Sequence, residues 1–173
     1  MQRALVTGGA GFIGSHLTDA LIQRGCPVMV LDNLMTGKRE NVNPRAEFVE
    51  LDLRSPEAAA AVERFRPEVV FHLAAQIDVR RSVADPHYDA DVNILGLINL
   101  LQACCTSRTR KVVFSASGGT AYGEAEVRPT PETAPLRPES PYGISKVCSE
   151  YYLRYYAQTT GMTAIALRYA NVY

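Results

Sequence analysis

Thr7-Gly8-Gly9-Ala10-Gly11-Phe12-Ile13-Gly14 is the stretch of sequence that decides the fold. The apolar run Ala4-Leu5-Val6 precedes it and is short enough to form a buried strand. Ile13, Leu17 and Leu21 follow at a spacing of four residues, which places them on one face of a helix. The sequence therefore predicts that a glycine-rich turn joins a strand to the N-terminus of a helix.

The glycines of this turn are suited to a dinucleotide, although G-x-x-G-x-x-G replaces the commoner G-x-G-x-x-G spacing. Gly8 permits a tight turn, Gly11 lets the backbone approach a pyrophosphate, and Gly14 lets helix and strand pack closely. The helix N-terminus offers unpaired N–H groups and a positive dipole end to phosphates. The glycines alone are also compatible with an ordinary glycine-rich turn. The next strand distinguishes that interpretation from a dinucleotide-binding turn.

The second strand, Val28-Met29-Val30-Leu31, ends at Asp32, 18 residues after Gly14. A carboxylate at this position accepts hydrogen bonds from the hydroxyls of an adenosine ribose. Its charge would repel a 2′-phosphate, and Asn33 rather than an arginine follows it. We therefore expect the cofactor to be NAD rather than NADP.

Apolar strands alternate with helices along the chain, which predicts an α/β fold with a doubly wound parallel sheet, the Rossmann fold, in the order 3-2-1-4-5-6. The predicted strands lie near residues 3–7, 28–32, 48–52, 69–73, 112–114 and 164–167. A long helix is expected from about Tyr88 to Cys105 and another from Tyr142 to about Thr160, after an irregular proline-rich loop at 123–141. Ligands of such folds bind at the carboxyl ends of the strands. Polar or functional positions fall at those ends: Asp32, Asp52, Leu73 to Gln76, and Ser115 to Ser117.

Composition excludes several classes of function. The 173 residues are 47% hydrophobic and 21% charged, and equal numbers of acidic and basic residues leave no net charge. The composition therefore lacks the excess of basic residues that is typical of proteins that bind nucleic acid or anionic membranes. No apolar run approaches the ~20 residues of a membrane span, and no signal peptide is expected.

The cysteines and histidines predict neither a disulfide framework nor a metal site. Cys26, Cys104, Cys105 and Cys148 form no C-x-x-C pair, which favours reduced thiols and a cytoplasmic protein. His16, His72 and His87 lack the spacing of metal ligands.

Tyr142-Gly143-Ile144-Ser145-Lys146 places a phenol and an ammonium group on one face of a helix. A cation beside the phenol would favour the phenolate and bring its pKa toward neutrality, so that Tyr142 acts as general base on a hydroxyl. Lys146 can also bond a nicotinamide ribose. A surface pair at this spacing is the alternative interpretation, and the dinucleotide fold favours the catalytic one.

The motifs together resemble the extended short-chain dehydrogenase/reductases, most closely the UDP-glucose (UDP-galactose) 4-epimerase family. The resemblance rests on these segments: Thr7–Gly14, Asp32-Asn33-Leu34, Asp52-Leu53, His72-Leu73-Ala74-Ala75-Gln76, Asn93 with Gly96, Tyr142 with Lys146, and Leu167-Arg168-Tyr169-Ala170-Asn171.

The resemblance implies an NAD-dependent epimerisation at C4 of a UDP-hexose through a 4-keto intermediate. Tyr142 would be the base, Lys146 its partner, and Asn171 a contact of the UDP-sugar. The cofactor would be bound by Gly8, Gly11, Phe12, Ile13, Gly14, Asp32, Asn33, Asp52, Leu53, Leu73, Ala74, Ala75, Gln76, Asn93, Ser115, Tyr142, Lys146 and Tyr169.

One position departs from the family pattern. A Ser or Thr is expected four residues before Tyr122-Gly123, where this chain has Gly118. Either Ser117 or Thr120 supplies the hydroxyl, or none does; we favour Ser117, in contact with the reacting hydroxyl of the substrate. Related dehydratases carry an Asp-Glu pair here, and Gly118-Gly119 has no carboxylate, which disfavours dehydration.

Members of the family continue into a smaller C-terminal lobe that closes over the nucleotide sugar. Residues 1–173 are therefore expected to form the NAD-binding domain and to be inactive by themselves. The full-length protein is expected to be a homodimer that pairs the helices near residues 88–105 and 142–160. Another epimerase, reductase or decarboxylase of nucleoside-diphosphate sugars, or a non-catalytic NAD-binding module, remains an alternative.

Overall fold

Six parallel strands form one sheet in a computed structural model, which describes residues 2–125, 127–170 and 172. The order is β3-β2-β1-β4-β5-β6, and every neighbouring pair is parallel. The strands are β1 (Ala4–Thr7), β2 (Val28–Asp32), β3 (Glu47–Glu50), β4 (Val69–His72), β5 (Lys111–Ser117) and β6 (Thr163–Tyr169). The predicted fold class and strand order are confirmed.

Helices connect the strands on both faces of the sheet. They are α1 (Phe12–Gln23), α2 (Pro56–Phe65), α3 (Val79–Ala84), α4 (Pro86–Ala90), α5 (Gly96–Thr106), α6 (Gly118–Ala121) and α7 (Pro141–Thr160). A short 3₁₀ turn, Arg39–Asn41, lies in the loop after β2. A π-helical segment, Asp91–Leu95, joins α4 to α5.

Strands β1 and β2 are buried at every position, and apolar at all but their last, because helices cover both faces of the sheet. Alternate side chains enter two hydrophobic clusters, with Leu5 and Met29 on one face and Val6 and Val30 on the other. Helices α2 and α5 contribute to the first cluster and α1 to the second. This packing fixes the carboxyl ends of β1, β2, β4 and β5 beside one another.

Local sequence signals explain where several helices begin and end. The Ser55 side chain accepts a hydrogen bond from the Ala58 N–H at the start of α2, and Ser140 does the same from Gly143 at the start of α7. Gly161 adopts a positive φ of 75° and ends α7. The sequence predicts this helix from Tyr142 to about Thr160, and the observed start differs by one residue.

The predicted helix from Tyr88 to Cys105 is a composite of α4, the π-helical segment and α5. Helix α3 was not predicted, because its six residues offer little hydrophobic periodicity. Strand β3 ends at Glu50 rather than near Asp52. Strands β5 and β6 are longer than predicted, because their polar ends still pair in register from Ser115 with Leu167 to Ser117 with Tyr169.

Candidate functional site

A cavity of about 470 Å³ opens at the carboxyl ends of the strands. Most of the cofactor-binding residues expected from the sequence line it. These are Gly8, Gly11, Phe12, Ile13, Gly14, Asp32, Asn33, Asp52, Leu53, Leu73, Ala74, Ala75, Gln76 and Ser115. The topology therefore brings together residues that lie more than 100 positions apart in the sequence.

The glycine-rich turn has no room for side chains at two of its positions. Gly8 has a φ of +71°, and a Cβ there would lie 2.6 Å from the backbone nitrogen of Ala74. A Cβ on Gly14 would lie 2.3 Å from the carbonyl oxygen of Gly8. The turn thus passes close to β4 and to the first turn of α1, and it directs the helix N-terminus at the cavity.

Asp32 is held in place by the glycine-rich turn. The backbone N–H of Ala10 donates to its Oδ2 at 3.0 Å, and that of Leu34 donates to its Oδ1 at 2.9 Å. The side chain is buried, although it lines the cavity. Each carboxylate oxygen can accept a second hydrogen bond, so the group can receive two hydroxyls of a ribose.

Asp52 belongs to a charged cluster at the same end of the cavity. The Arg54 guanidinium bonds both of its oxygens, at 2.8 and 2.7 Å, and also reaches Asp91 at 2.6 Å. Asn33 donates to Asp52 at 3.1 Å. These hydrogen bonds, those from Arg54 foremost, hold the pKa of Asp52 well below its usual range.

Among the cavity residues that the sequence reasoning missed are Arg54, Arg81 and Tyr88. The guanidinium carbon of Arg81 lies 4.1 Å from the centroid of the Tyr88 ring, and that of Arg54 lies 5.5 Å from it. A cation over the face of an aromatic ring is attracted to the ring by a cation–π interaction. The charge of Arg54 is already compensated by Asp52 and Asp91, and no short motif would have identified either arginine.

His72 lies behind the cavity and is neutral. The Thr7 hydroxyl accepts from the backbone N–H groups of Leu73 and Ala74, each at 3.2 Å, and lies 2.7 Å from Nδ1 of His72. The Thr7 hydroxyl therefore donates its proton to Nδ1 of His72, so the proton of the neutral imidazole is on Nε2. Burial, with the nearby charge of Lys146, lowers the pKa of His72 to about 3.

Tyr142, Lys146 and Ser117 meet beside the cavity, where α7 packs on the end of β5. The Ser117 hydroxyl is close enough to the Tyr142 phenol to lower its pKa, and Thr120 donates to the Ser117 Oγ at 2.8 Å. The Lys146 Nζ donates to the carbonyl oxygen of Ser115 at 3.0 Å. Ser117, the residue favoured from the sequence, therefore lies next to Tyr142 and accepts from Thr120, and its role as the relay hydroxyl stays a prediction.

The pKa of Tyr142 differs from the expectation. Burial raises it, the hydrogen bond with Ser117 opposes that effect, and the charge of Asp89 adds to it. The Lys146 Nζ lies 5.9 Å from the centroid of the phenol ring, and it donates its hydrogen bond to the carbonyl oxygen of Ser115 instead. The prediction that Lys146 brings this pKa toward neutrality is wrong for the protein alone.

Gly118 replaces the expected hydroxyl residue because β6 passes close to it. A Cβ at Gly118 would lie 3.0 Å from the carbonyl oxygens of Arg168 and Tyr169. Arg168 then ties this end of β6 to its surroundings, through two bonds to Glu150 at 2.9 and 2.6 Å and one to Tyr122 at 2.6 Å.

Asn93 and Tyr169, also expected at the site, are not among the residues that line the cavity. Asn93 is buried behind Gln76 and is hydrogen-bonded to its backbone, and Tyr169 pairs in register with Ser117 at the end of β6. Asn171 lies outside the described residues. The sequence reasoning also missed Asp89, a buried carboxylate joined to Gln76, Asn93 and Ser145.

Other classes of site were sought in the described part of the chain. Across residues 2–125, 127–170 and 172, no group of three or more His, Cys, Asp or Glu side chains could hold a metal ion. None of the described helices combines the length and hydrophobicity needed to cross a membrane. All four cysteines are described, and each is a free thiol.

Comparison with known proteins gives consistent matches. The model of the NAD dependent epimerase/dehydratase family matches residues 4–173. A UDP-glucose 4-epimerase of Mycolicibacterium smegmatis is 44% identical over 177 residues, which cover 99% of this chain and 56% of the relative. The chain spans about half the length of the curated relatives it matches.

Two solved structures share the fold at high sequence identity. The UDP-glucose 4-epimerase of Thermus thermophilus, in complex with NAD, has a TM-score of 0.95 and 51% identity, with 99% of this chain and 56% of that chain covered. The Thermotoga maritima UDP-glucose 4-epimerase, with UDP-glucose, has a TM-score of 0.94 and 48% identity, with the same coverage of 99% and 56%.

Proposed function

The chain belongs to the NAD dependent epimerase/dehydratase family, and on that premise we propose that it binds NAD and serves the epimerisation of a UDP-hexose at C4. The reaction would interconvert UDP-glucose and UDP-galactose through a 4-keto intermediate. The observation that carries the proposal is that Ser117, Tyr142 and Lys146 meet at the end of β5, beside a cavity suited to a dinucleotide.

The cavity residues fit NAD. The glycine-rich turn and the N-terminus of α1 would receive the pyrophosphate, and Asp32 would bind the adenosine ribose. Lys146 and Ser115 would lie near the nicotinamide ribose. When bound, NAD would supply a hydride acceptor for C4 of the sugar and, in its reduced form, a hydride donor for the 4-keto group.

The residues around Tyr142 would manage the proton of the sugar hydroxyl. Tyr142 would take the proton from the 4-hydroxyl as general base and give it back when the alcohol reforms. Ser117 would hold both the phenol and that hydroxyl, because its Oγ can donate one bond and accept two. Lys146, as an ammonium ion, would stabilise negative charge on the phenol oxygen. The positive charge of the oxidised cofactor would add to this stabilisation.

Epimerisation is favoured over dehydration by the residues that follow Ser117. Elimination of water needs an acid and a base at the reacting carbons. Gly118 and Gly119 supply neither, and β6 leaves little room for a side chain at Gly118. Another epimerase, reductase or decarboxylase of nucleoside-diphosphate sugars, or a non-catalytic NAD-binding module, would share the same cavity.

An assay with several nucleotide sugars tests the proposal. UDP-galactose, UDP-N-acetylgalactosamine and UDP-glucuronic acid would be incubated with the longest protein that the gene encodes, and the products separated by chromatography. We expect UDP-galactose to be converted to UDP-glucose with no net consumption of NAD. Conversion of only another sugar, or a change in the redox state of NAD, would contradict the proposal.

We also propose that residues 1–173 form an NAD-binding domain whose substrate site is completed by a further lobe. The support is that the chain covers 56% of a curated relative. The 173-residue chain alone is then expected to bind NAD without turnover. Epimerase activity of this chain alone would contradict the arrangement.

A homodimer and a cytoplasmic location complete the proposal. Helix α7 exposes Ile144, Tyr151 and Tyr155, and Leu95 is exposed on the neighbouring π-helical segment. Such an apolar surface favours pairing with the same surface of a second copy. Four free thiols agree with a reducing compartment. Sedimentation equilibrium tests the dimer, and subcellular fractionation tests the location.

A further inference from the structure

Asp89 is a carboxylate with no exposed surface, on helix α4 and outside the cavity lining. Burial of a charge is costly unless hydrogen bonds compensate it. Its Oδ1 accepts from the side-chain amides of Gln76 at 2.9 Å and Asn93 at 3.1 Å, and its Oδ2 accepts from the Ser145 hydroxyl at 2.7 Å. These partners come from three different parts of the chain, so Asp89 joins elements that the backbone does not connect directly.

One side of this network fixes the wall of the cavity. Gln76 follows β4 and lines the cavity. Its backbone N–H donates to the side-chain oxygen of Asn93 at 3.0 Å, and its carbonyl oxygen accepts from the Asn93 amide at 3.0 Å. Gln76 is therefore held at both its backbone and its side chain, and Asp89 bonds both residues of the pair.

The other side of the network fixes the helix that carries the candidate catalytic groups. Ser145 precedes Lys146 directly and lies three residues after Tyr142 on α7. A shift of Ser145 along or around the helix would move both of these side chains. The bond from Ser145 to Asp89 therefore sets the distance between α7 and the cavity wall.

Asp89 also supplies charge to a site that otherwise disfavours a buried ammonium. Lys146 is only 4% exposed, and burial lowers its pKa to about 8 while the charge of Asp89 raises it. The other titratable groups that face it are His72 on β4, which is neutral, and the Tyr142 phenol on α7. Of these groups, only Asp89 offers a negative charge when the phenol is protonated.

We propose that Asp89 is a positioning residue: it ties Gln76 to helix α7 through Ser145, and its buried charge keeps Lys146 an ammonium ion. The catalytic consequence rests on the proposed function, whereas the effect on the charge of Lys146 does not. The two can therefore be tested separately.

Lysine-selective NMR tests the effect on charge directly. The chain has only three lysines, Lys38, Lys111 and Lys146, so ¹³Cε-labelled lysine gives three signals, and K146R assigns the one of interest. Asp89→Asn is the matched variant, because its Oδ1 can still accept from Gln76 and Asn93 while its Nδ2 donates to Ser145. We expect the Lys146 signal to titrate at a lower pH in D89N than in the wild type.

Ser149→Ala is the control, since Ser149 is buried on the same helix and bonds the backbone of Asn93 and Ser145, but not Asp89. It should leave the Lys146 titration unchanged. An unchanged or higher midpoint in D89N would overturn the proposal. If D89N does not fold, the wild type decides: a Lys146 signal of the neutral amine at pH 7 overturns the proposal.

The pH profile of kcat for the full-length protein tests the catalytic consequence. We expect kcat of D89N to fall with little change in KM, and its decline at alkaline pH to begin at lower pH than in the wild type. Asp89→Glu should restore the alkaline limit in part, because it restores the charge. A D89N profile that matches the wild type would overturn the catalytic role, and absence of epimerisation in the wild type would instead contradict the proposed function.

Discussion

The Ser117 hydroxyl acts on the phenol of Tyr142 and lowers its pKa, although the two residues are 25 positions apart and a proline-rich loop lies between them. Strand β5 ends at Ser117, and α7 begins one residue before Tyr142. The contact therefore depends on the position of α7 against the sheet. It places a hydroxyl and a phenol together at the carboxyl end of β5, beside the cavity.

Tyr142→Phe tests the role of the phenol. We expect epimerisation to fall about 100- to 10,000-fold, the usual contribution of a general base. Affinity for NAD, measured by calorimetry, should change little, because the Phe ring retains the packing. Wild-type turnover in Tyr142→Phe would rule out this residue as the base and favour a non-catalytic NAD-binding module.

Ser117→Ala tests the hydroxyl at the end of β5. Loss of a hydrogen bond to a group that carries charge during the reaction should lower kcat roughly 10- to 100-fold. Thr120→Ala is the matched control, because Thr120 donates to Ser117 at 2.8 Å, whereas Ser117 is the hydroxyl that lowers the pKa of Tyr142. Its effect should stay below about tenfold. A larger loss in Thr120→Ala than in Ser117→Ala would reverse the assignment of the two hydroxyls.

Gly14→Ala tests the close packing of the glycine-rich turn. The added Cβ would lie 2.3 Å from the carbonyl oxygen of Gly8, so the backbone must shift at a cost of about 1–3 kcal/mol. Gly119→Ala provides the comparison, since its Cβ would meet no atom within 4 Å. It should be neutral or stabilising by up to about 1 kcal/mol. Urea unfolding measures both, and equal stabilities of the two variants would contradict the packing.

The low pKa of buried His72 predicts that the folded protein loses stability in acid. The unfolded chain takes up a proton on this histidine below its ordinary pKa of 6.5, whereas the folded protein does so only near pH 3. The free energy of unfolding should therefore fall between these limits by up to about 1.4 kcal/mol per pH unit from this group. His72→Asn keeps an acceptor for Thr7 and removes the titration. Parallel stability curves of wild type and variant between pH 6.5 and 4 would contradict the neutral buried ring.

The sequence predicted the sheet and its order because buried parallel strands are recognisable as short apolar runs. Val28–Leu31 and Val69–Phe71 are of this kind, and alternation with helices leaves few topologies. Helix α3 and the π-helical segment were missed because neither has a hydrophobic pattern long enough to identify it.

The candidate site was predicted where a local motif carries the chemistry, as at Gly8 to Gly14 and at Tyr142 and Lys146. Asp89 was missed because an aspartate in a polar stretch is usually exposed. Its burial depends on Gln76 and Ser145, which lie 13 and 56 residues away. The predicted direction of the Tyr142 pKa shift was wrong for a related reason. Helical spacing shows that Lys146 lies on the same face as Tyr142, but it does not show how deeply the phenol is buried.

The central claim is that this cavity binds NAD and that Asp32 excludes NADP. Titration of the 173-residue chain with each dinucleotide, followed by calorimetry, tests it most directly, with Asp32→Ala as the comparison. We expect NAD to bind, NADP to bind at least about tenfold more weakly, and the difference to shrink in Asp32→Ala because the repelling carboxylate is gone. Equal affinity of the folded wild-type chain for both dinucleotides, or binding of neither, would contradict the account.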